Sequence, residues 1–227
     1  MIMRIGTLQE TSLHADLKAW YAQPGDLIEA RVEGFVIDIV RGDLLIEIQT
    51  GNFSALKAKL NNLLLSRKVL LIYPIAEMKW ILRLGKDKRT EISRRKSPKQ
   101  GSLVHLFAEL VRIPDLISIP DFSLELIFIH EEEIWVDDGK GSWRRKGWSI
   151  YDRRLMKVLS TKRLSAPEDF RALLPKSLPA EFSTADLAVA LAHPRYLAQK
   201  MAYCLRRMGV IERAGKRGRS WLYAIKR

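Results

Sequence analysis

The chain has 227 residues, 47% of them apolar, enough for one large core or two modest ones. A single cysteine excludes an internal disulfide framework and a cysteine-built zinc site, four scattered histidines show no metal-ligand spacing, and no apolar run reaches the roughly 18 residues of a membrane span. The formal charge of +13 is unevenly spread, with 18 basic and 20 acidic side chains in residues 1–139 and 21 and 6 in residues 140–227, an asymmetry that points to a polyanion, most simply nucleic acid.

The opening stretch, MIMRIGTLQE, lacks the apolar core of a signal peptide, so a cytoplasmic protein is expected. Residues 7–22 put Leu8, Leu13, Leu17, Trp20 and Tyr21 near one helical stripe, with Thr11 or Ser12 as cap, and Gln23-Pro24-Gly25-Asp26 ends the helix. A strand follows over Leu27–Val32. Val36 to Gln49, VIDIVRGDLLIEIQ, reads as a β-hairpin into which Asp38, Glu47 and Gln49 are set. Alternation puts Glu47 and Gln49 on one face. With Arg41 and Gly42 as the loop, Asp38 pairs with Leu45 and lies diagonal to Glu47, at about 7–8 Å between backbones. Two carboxylates so spaced can share a hard divalent cation. The plainer reading is a solvated polar strand face. Against it, Phe35–Val40 and Leu44–Ile48 are apolar on both faces, and a buried carboxylate is costly unless paired or bound to a cation.

Thr50-Gly51-Asn52 breaks the strand, and Asn52 or Ser54 caps a helix whose Phe53, Leu56, Leu60, Leu63 and Leu64 follow the 3.6 period. Lys57 and Lys59 sit in its first two turns. Val69–Tyr73 is then a buried strand stopped by Pro74, and a strand-helix-strand unit of this length makes it parallel to the Glu47 strand. Lys79–Leu84 reads as a strand, Lys86–Gln100 as a mobile charged loop, and Leu103–Val111 as a short helix. Leu124–Ile129 and Ile134–Val136 read as strands joined by a turn of Glu131, Glu132 and Glu133. Asp137–Trp148, DDGKGSWRRKGW, is a glycine-rich basic hairpin loop. Its Trp143 and Trp148 among Arg144 and Arg145 suit stacking on bases, at about 1–3 kcal/mol per base, or anchor a β-turn. Tyr151–Leu159 reads as a basic helix, and Pro167, Pro175 and Pro179 punctuate a linker.

In residues 180–227, Phe182-Ser183-Thr184 caps a helix over Ala185–Leu191, and a second helix runs from Arg195 to Met208 with Leu197, Met201, Cys204 and Leu205 on one stripe. Gly209 ends it, and two short strands flank the basic turn Ala214–Arg219. Cys204 is expected in the core, not as a nucleophile.

The order helix, hairpin with D…ExQ, helix, strand, and the phrase VEGFVIDIVRGDLLIEIQTGNFSALKAKL, resemble the PD-(D/E)XK (restriction-endonuclease-like) nuclease superfamily over about residues 5–80. The resemblance implies an α/β fold with a mixed sheet flanked by helices, and Mg²⁺ (or Mn²⁺) held by Asp38 and Glu47. The superfamily's usual lysine falls on Gln49, leaving Lys59 or Lys57 to reach in, and Glu10 is placed as an accessory acid on the first helix. The end of the chain, LRRMGVIERAGKRGRSWLYAI, is similar to winged helix-turn-helix domains, whose second helix enters the major groove and whose wing touches backbone or minor groove. This implies DNA contacts from Arg195, Gln199, Lys200 and Arg206 on the helix and from Lys216, Arg217 and Arg219 on the wing, with Arg144 and Arg145 from the tryptophan loop. The expected organisation is a nuclease-like core over 1–159, a linker over 160–179 and a winged helix over 180–227. The expected activity is hydrolysis of DNA phosphodiester bonds by a metal-dependent endonuclease, and nucleases that cut both strands often act as homodimers. The alternative is a DNA-binding protein with an inert nuclease-like core.

Overall fold

A computed structural model describes residues 11–226. They form a mixed α/β protein. In chain order the elements are α1 (Ser12–Tyr21), β1 (Leu27–Val32), β2 (Phe35–Arg41), β3 (Leu44–Ile48), α2 (Phe53–Leu63), β4 (Lys68–Leu84), β5 (Glu91–Lys96) and α3 (Leu106–Leu110). Then come β6 (Phe122–Val136), β7 (Ser149–Leu164), α4 (Pro167–Arg171), β8 (Glu181–Phe182), α5 (Thr184–Leu191), α6 (Arg195–Arg207), β9 (Ile211–Arg217) and β10 (Ser220–Ile225). A seven-stranded sheet has the order β1-β2-β3-β4-β6-β7, with β5 also on β4, and a three-stranded sheet has the order β8-β10-β9. The large sheet is mixed: β1-β2, β2-β3 and β4-β5 are antiparallel, β3-β4 parallel. Among the described residues no helix is long and apolar enough to cross a membrane.

Two compact units form, each discontinuous in sequence. The first holds residues 27–73, 102–126 and 162 onward; the second holds the described residues up to 26, with 74–101 and 127–161. The long strands β4 and β6 pass from one unit to the other at 73/74 and 126/127.

In the first unit, Val32 pairs with Phe35 across a two-residue turn whose Glu33 and Gly34 both have positive φ, the turn type that matches the twist of a hairpin. The next turn is Gly42-Asp43, since Arg41 pairs with Leu44. This corrects the expected Arg41-Gly42 loop: Gly42 adopts φ +57°, a conformation that is strained for arginine, so the loop starts on the glycine. Beyond β3 the chain crosses through α2 and returns in β4 parallel to β3, as the spacing required. Ile37, Ile39, Leu45, Ile46, Ile48, Phe53, Leu60, Leu63 and Val69 to Ile72 are all buried, at about 1.5–3 kcal/mol for each large side chain. The start of α2 is not capped by Asn52 or Ser54. Ser54 Oγ donates to Asn52 Oδ1 at 2.6 Å, and Glu109 of α3 accepts from Phe53 N at 3.1 Å, so the cap comes from 56 residues away. In the C-terminal part, Ser183 Oγ accepts from Ala185 N and Asp186 N, Asp186 accepts from Ser183 N at 2.8 Å, and Gly209 at φ +74° ends α6. β9 runs to Arg217, which shortens the expected basic turn to Gly218-Arg219. Cys204 is buried, and burial, followed by the nearby charge of Asp115, pushes its thiol up to about 12.

The second unit departs most from expectation. Pro74 does not stop the strand: β4 continues through it, in the gap between the ladder to β3, which ends at Ile72, and the ladder to β5, which begins at Trp80. A missing N–H costs no hydrogen bond of either ladder there. The charged stretch expected as a loop contains β5, an edge strand whose Arg95 and Lys96 face solvent, where charge is well tolerated. Glu131, Glu132 and Glu133 form no turn but lie in the middle of β6. Alternation sends Glu131 and Glu133 to one face, where Lys79 Nζ meets them at 2.8 and 2.6 Å, and Glu132 to the other, where Arg94 Nε meets it at 2.7 Å. The expected helix over Tyr151–Leu159 is strand β7, a neighbour of β6, with Ile150, Tyr151 and Val158 supplying β-favouring side chains. Helix α1 is tied to β7 by Ser12, whose Oγ and N donate to Asp152, and by Asp16, which accepts from Leu155 N. Thr11, at the position before α1, makes no side-chain capping bond.

Candidate functional site

The ladder between β2 and β3 matches Ile39 with Ile46, and one further step sets Asp38 across from Glu47. The pair is therefore direct rather than diagonal, a correction that follows from the turn's position. Both registers keep the two acids on one face, because each is closed by a two-residue loop. Asp38 Oδ2 accepts from Ile48 N at 2.8 Å, which holds its carboxylate at the end of β3. Glu47 is 4% exposed. Burial, and then the negative charge of Asp38, push its carboxyl up to about 7, with Lys59 pulling the other way.

Lys59 comes from α2, where burial of Phe53, Leu60 and Leu63 turns its side chain toward the hairpin. Its Nζ lies 2.5 Å from Glu47 Oε1 and donates to Val36 O at 2.5 Å. Glu47 Oε1 is buried, and the Lys59 ammonium is the charge that faces it. Gln49 continues the ladder, its N donating to Ile72 O at 2.9 Å, while its side-chain Nε2 donates to Gly51 O. One N–H is thereby used, and the amide keeps its oxygen, an acceptor suited to a cation or a water, and a second N–H. Lys57 is exposed. Glu10 lies outside the described residues. Among the described residues no three or more His, Cys, Asp and Glu side chains gather as a metal cage. Two carboxylates set across from each other, one of them buried, with the Gln49 amide two residues on, are nonetheless a donor set that fits a hard divalent cation, which prefers carboxylate and amide oxygens.

The basic residues fall in two places. On α6, Arg195 and Gln199 are exposed and Arg206 is half-buried, on the side opposite the buried Leu197, Met201, Cys204 and Leu205. Lys200 does not reach outward: its Nζ donates to Ala108 O at 3.3 Å, where α6 packs on α3. Lys216, Arg217 and Arg219 are exposed on the β9-β10 hairpin, with Arg217 bonded to Asp186. Arg144 and Arg145 lie in the second unit. Arg144 sits over the Trp143 ring at 5.5 Å, and Arg145 Nε donates to Trp148 O at 3.1 Å.

Residues 11–165 match the family described as Domain of unknown function (DUF8091). The chain belongs to that family. It is also 36% identical over 224 residues to an uncharacterized protein of Treponema pallidum (strain Nichols), covering 97% of this chain and 87% of the Treponema protein. No solved structure matches it. The DUF8091 match takes in Asp38, Glu47, Gln49 and Lys59 together with β4 to β7, and stops before α4.

Three features within or beside the DUF8091 segment are not visible in the sequence. Arg83 lies over Trp148 at 4.9 Å and Trp135 at 5.8 Å. Trp221 is flanked by Arg213 at 4.1 Å and Lys216 at 4.4 Å, which β9-β10 alternation could have signalled once the bulge between Leu222 and Tyr223 is known. Ser102 Oγ lies 3.0 Å from His105 Nδ1 and 2.9 Å from His193 Nε2, joining two histidines 88 positions apart. Burial, and then the neighbouring His105, hold His193 below the usual imidazole range.

Proposed function

We propose that the chain is a Mg²⁺-dependent deoxyribonuclease with a restriction-endonuclease-like core and a C-terminal winged helix that supplies DNA affinity. The single observation that carries the reading is the Asp38–Glu47 pair, two carboxylates set across from each other on one sheet face, the Glu47 carboxyl buried and pushed up by burial and by the charge of Asp38, with Lys59 ion-paired to it. Asp38 and Glu47 would hold the cation, with the Gln49 amide oxygen as a further acceptor. The bound ion supplies a water of lowered pKa and neutralises charge developing on the phosphate. Lys59, whose Nζ is held by Glu47 and Val36 O, would be the positive group beside the cation, taking the role of the lysine that the resembled family carries where this chain has Gln49. The exposed Arg195, Gln199, Lys216 and Arg219 would bind the duplex, the helix residues in the groove and the hairpin residues on the backbone.

The test is cleavage of supercoiled plasmid in Mg²⁺, with isothermal calorimetry for Mg²⁺ and Mn²⁺. The protein should cut and bind the ion, and Asp38→Ala and Glu47→Ala should abolish both. Equal behaviour of the three proteins ends the proposal. A second reading is a DNA-binding protein whose core is inert. The contact of Lys59 with Glu47 favours it, since the lysine already neutralises part of the pair. It predicts duplex binding without ion uptake.

A further inference from the structure

The second unit contains a set of cations that the proposed nuclease chemistry does not use. Four of them come from β4, β5 and β7. Lys79 is paired with Glu131 and Glu133, Arg94 with Glu132, and Arg153 approaches Glu133 at 3.5 Å. Arg83 is different. Among the described residues no carboxylate pairs with it. Its guanidinium lies over the rings of Trp148 and Trp135, and its Nε is buried without a hydrogen-bond partner. A guanidinium stacked on aromatic rings keeps its edge donors in a fixed plane, the geometry that accepts a phosphate through two parallel hydrogen bonds.

What surrounds Arg83 fits the same ligand. The β4-β5 turn carries Lys86, Lys88 and Arg89, all exposed, and Lys88 Nζ lies 4.5 Å from the centre of the Tyr151 ring on β7. That contact and the Arg83–Trp148 contact bring the 85–90 turn and the 137–148 loop to the same end of the unit. The loop is closed on itself through glycine. Gly141 N donates to Gly147 O at 2.9 Å, and a Cβ on Gly141 would fall 1.8 Å from Trp148 O, so only glycine closes it this way. Trp143 is 83% exposed and Tyr151 54% exposed. Rings left in water beside exposed cations suit unpaired bases, whose faces stack on them regardless of sequence. A duplex hides those faces.

We propose that this end of the second unit binds single-stranded nucleic acid, with Arg83 as a phosphate ligand and Trp143 and Tyr151 as stacking platforms. The site shares no residue with the Asp38 and Glu47 pair. It requires binding only, and it holds whether or not the chain cleaves anything. The test is fluorescence anisotropy of a labelled oligothymidylate with the full chain, in Mg²⁺-free buffer, beside a labelled duplex. The oligothymidylate should bind, with affinity falling as salt rises. Trp143→Ala and Arg83→Gln should each weaken it about tenfold, with duplex affinity changed less than twofold. Lys216→Ala with Arg219→Ala should do the reverse. If Arg83→Gln does not fold, Trp143→Ala decides alone, since that side chain is almost wholly in solvent. Unchanged oligothymidylate affinity in Trp143→Ala overturns the proposal. So does its loss in the Lys216, Arg219 double variant, which would move the strand to the C-terminal hairpin.

Discussion

Each unit sets two acidic side chains on one sheet face with a lysine paired to at least one of them, and the two arrangements settle differently. In the first unit Glu47 is ion-paired with Lys59 and faces Asp38, and burial, then the charge of Asp38, push its carboxyl up to about 7. In the second, Glu131 and Glu133 share Lys79, Arg153 adds a second cation, and Trp135 Nε1 donates to Glu133 at 3.1 Å. Although burial is the largest influence on Glu133 and acts upward, Lys79, Trp135 and Arg153 together hold its carboxyl below the usual range, and against burial, the largest single influence on Lys79 and a downward one, the glutamates together hold that lysine above its own. The difference teaches what distinguishes a structural acid cluster from a binding one. A buried acid held low by surrounding cations makes a joint between strands. A buried acid set against a second acid, its carboxyl pushed up, makes a place where an incoming cation is stabilised.

The widest separation between the clusters should come from removing each lysine. Lys79→Met leaves Glu131 and Glu133 buried with Arg153 and the Trp135 N–H beside Glu133, and should cost about 3 kcal/mol in urea unfolding at pH 7. Lys59→Met should cost clearly less, because Glu47 already takes up a proton near neutrality, and its titration followed by NMR should move above 7.

Replacing the acids should reverse the sign. Between the ordinary glutamate range and about pH 7 the folded chain holds a proton on Glu47 that the unfolded chain lacks, so stability falls as pH rises through that window. Glu47→Gln removes this penalty. It should stabilise the metal-free protein by about 1–3 kcal/mol at pH 8, a gain that fades as pH drops toward 4.5. Mg²⁺ should raise the Tm of the native protein and leave that of Glu47→Gln unchanged.

Glu133→Gln should instead destabilise at pH 7. Its folded carboxyl titrates low, so its contribution is present above the ordinary glutamate range and is lost as pH falls through the lowered value. The same substitution in two strands of one protein would then give opposite changes in Tm, and equal signs would dissolve the contrast. The smallest effect belongs to His193, held low beside His105: its folded form resists protonation, so acidification from pH 7 through the ordinary imidazole range should weaken the protein slightly, and His193→Gln should flatten that slope.

How far the amino-acid order reveals all this follows from how far apart the partners lie. The hairpin, the α2 crossover and the acid pair were legible because alternation, a two-residue turn and a 3.6 period all act within 30 residues. The helices at 184–191 and 195–207 were legible from Ser183, Asp186 and Gly209, each acting on its own turn. Glu131–Glu133 were not, because the cations that make them a strand come from Lys79 and Arg94, 54 and 38 positions earlier for the bonds to Glu133 and Glu132. Without those partners three adjacent acids read as a turn. Lys200 failed for the same reason, as its acceptor is Ala108 O. Asp38 sits one pairing step from its expected neighbour because the turn favoured Gly42 over Arg41 as its first residue.

Cys204 gives the chain an internal gauge of its own opening. With its thiol at about 12 and no solvent access, it should ignore alkylating reagents and peroxide at neutral pH while α6 stays seated. Since the sequence has one cysteine, any labelling reports separation of that helix from its neighbours, and the labelling rate against denaturant reads out how often it lifts.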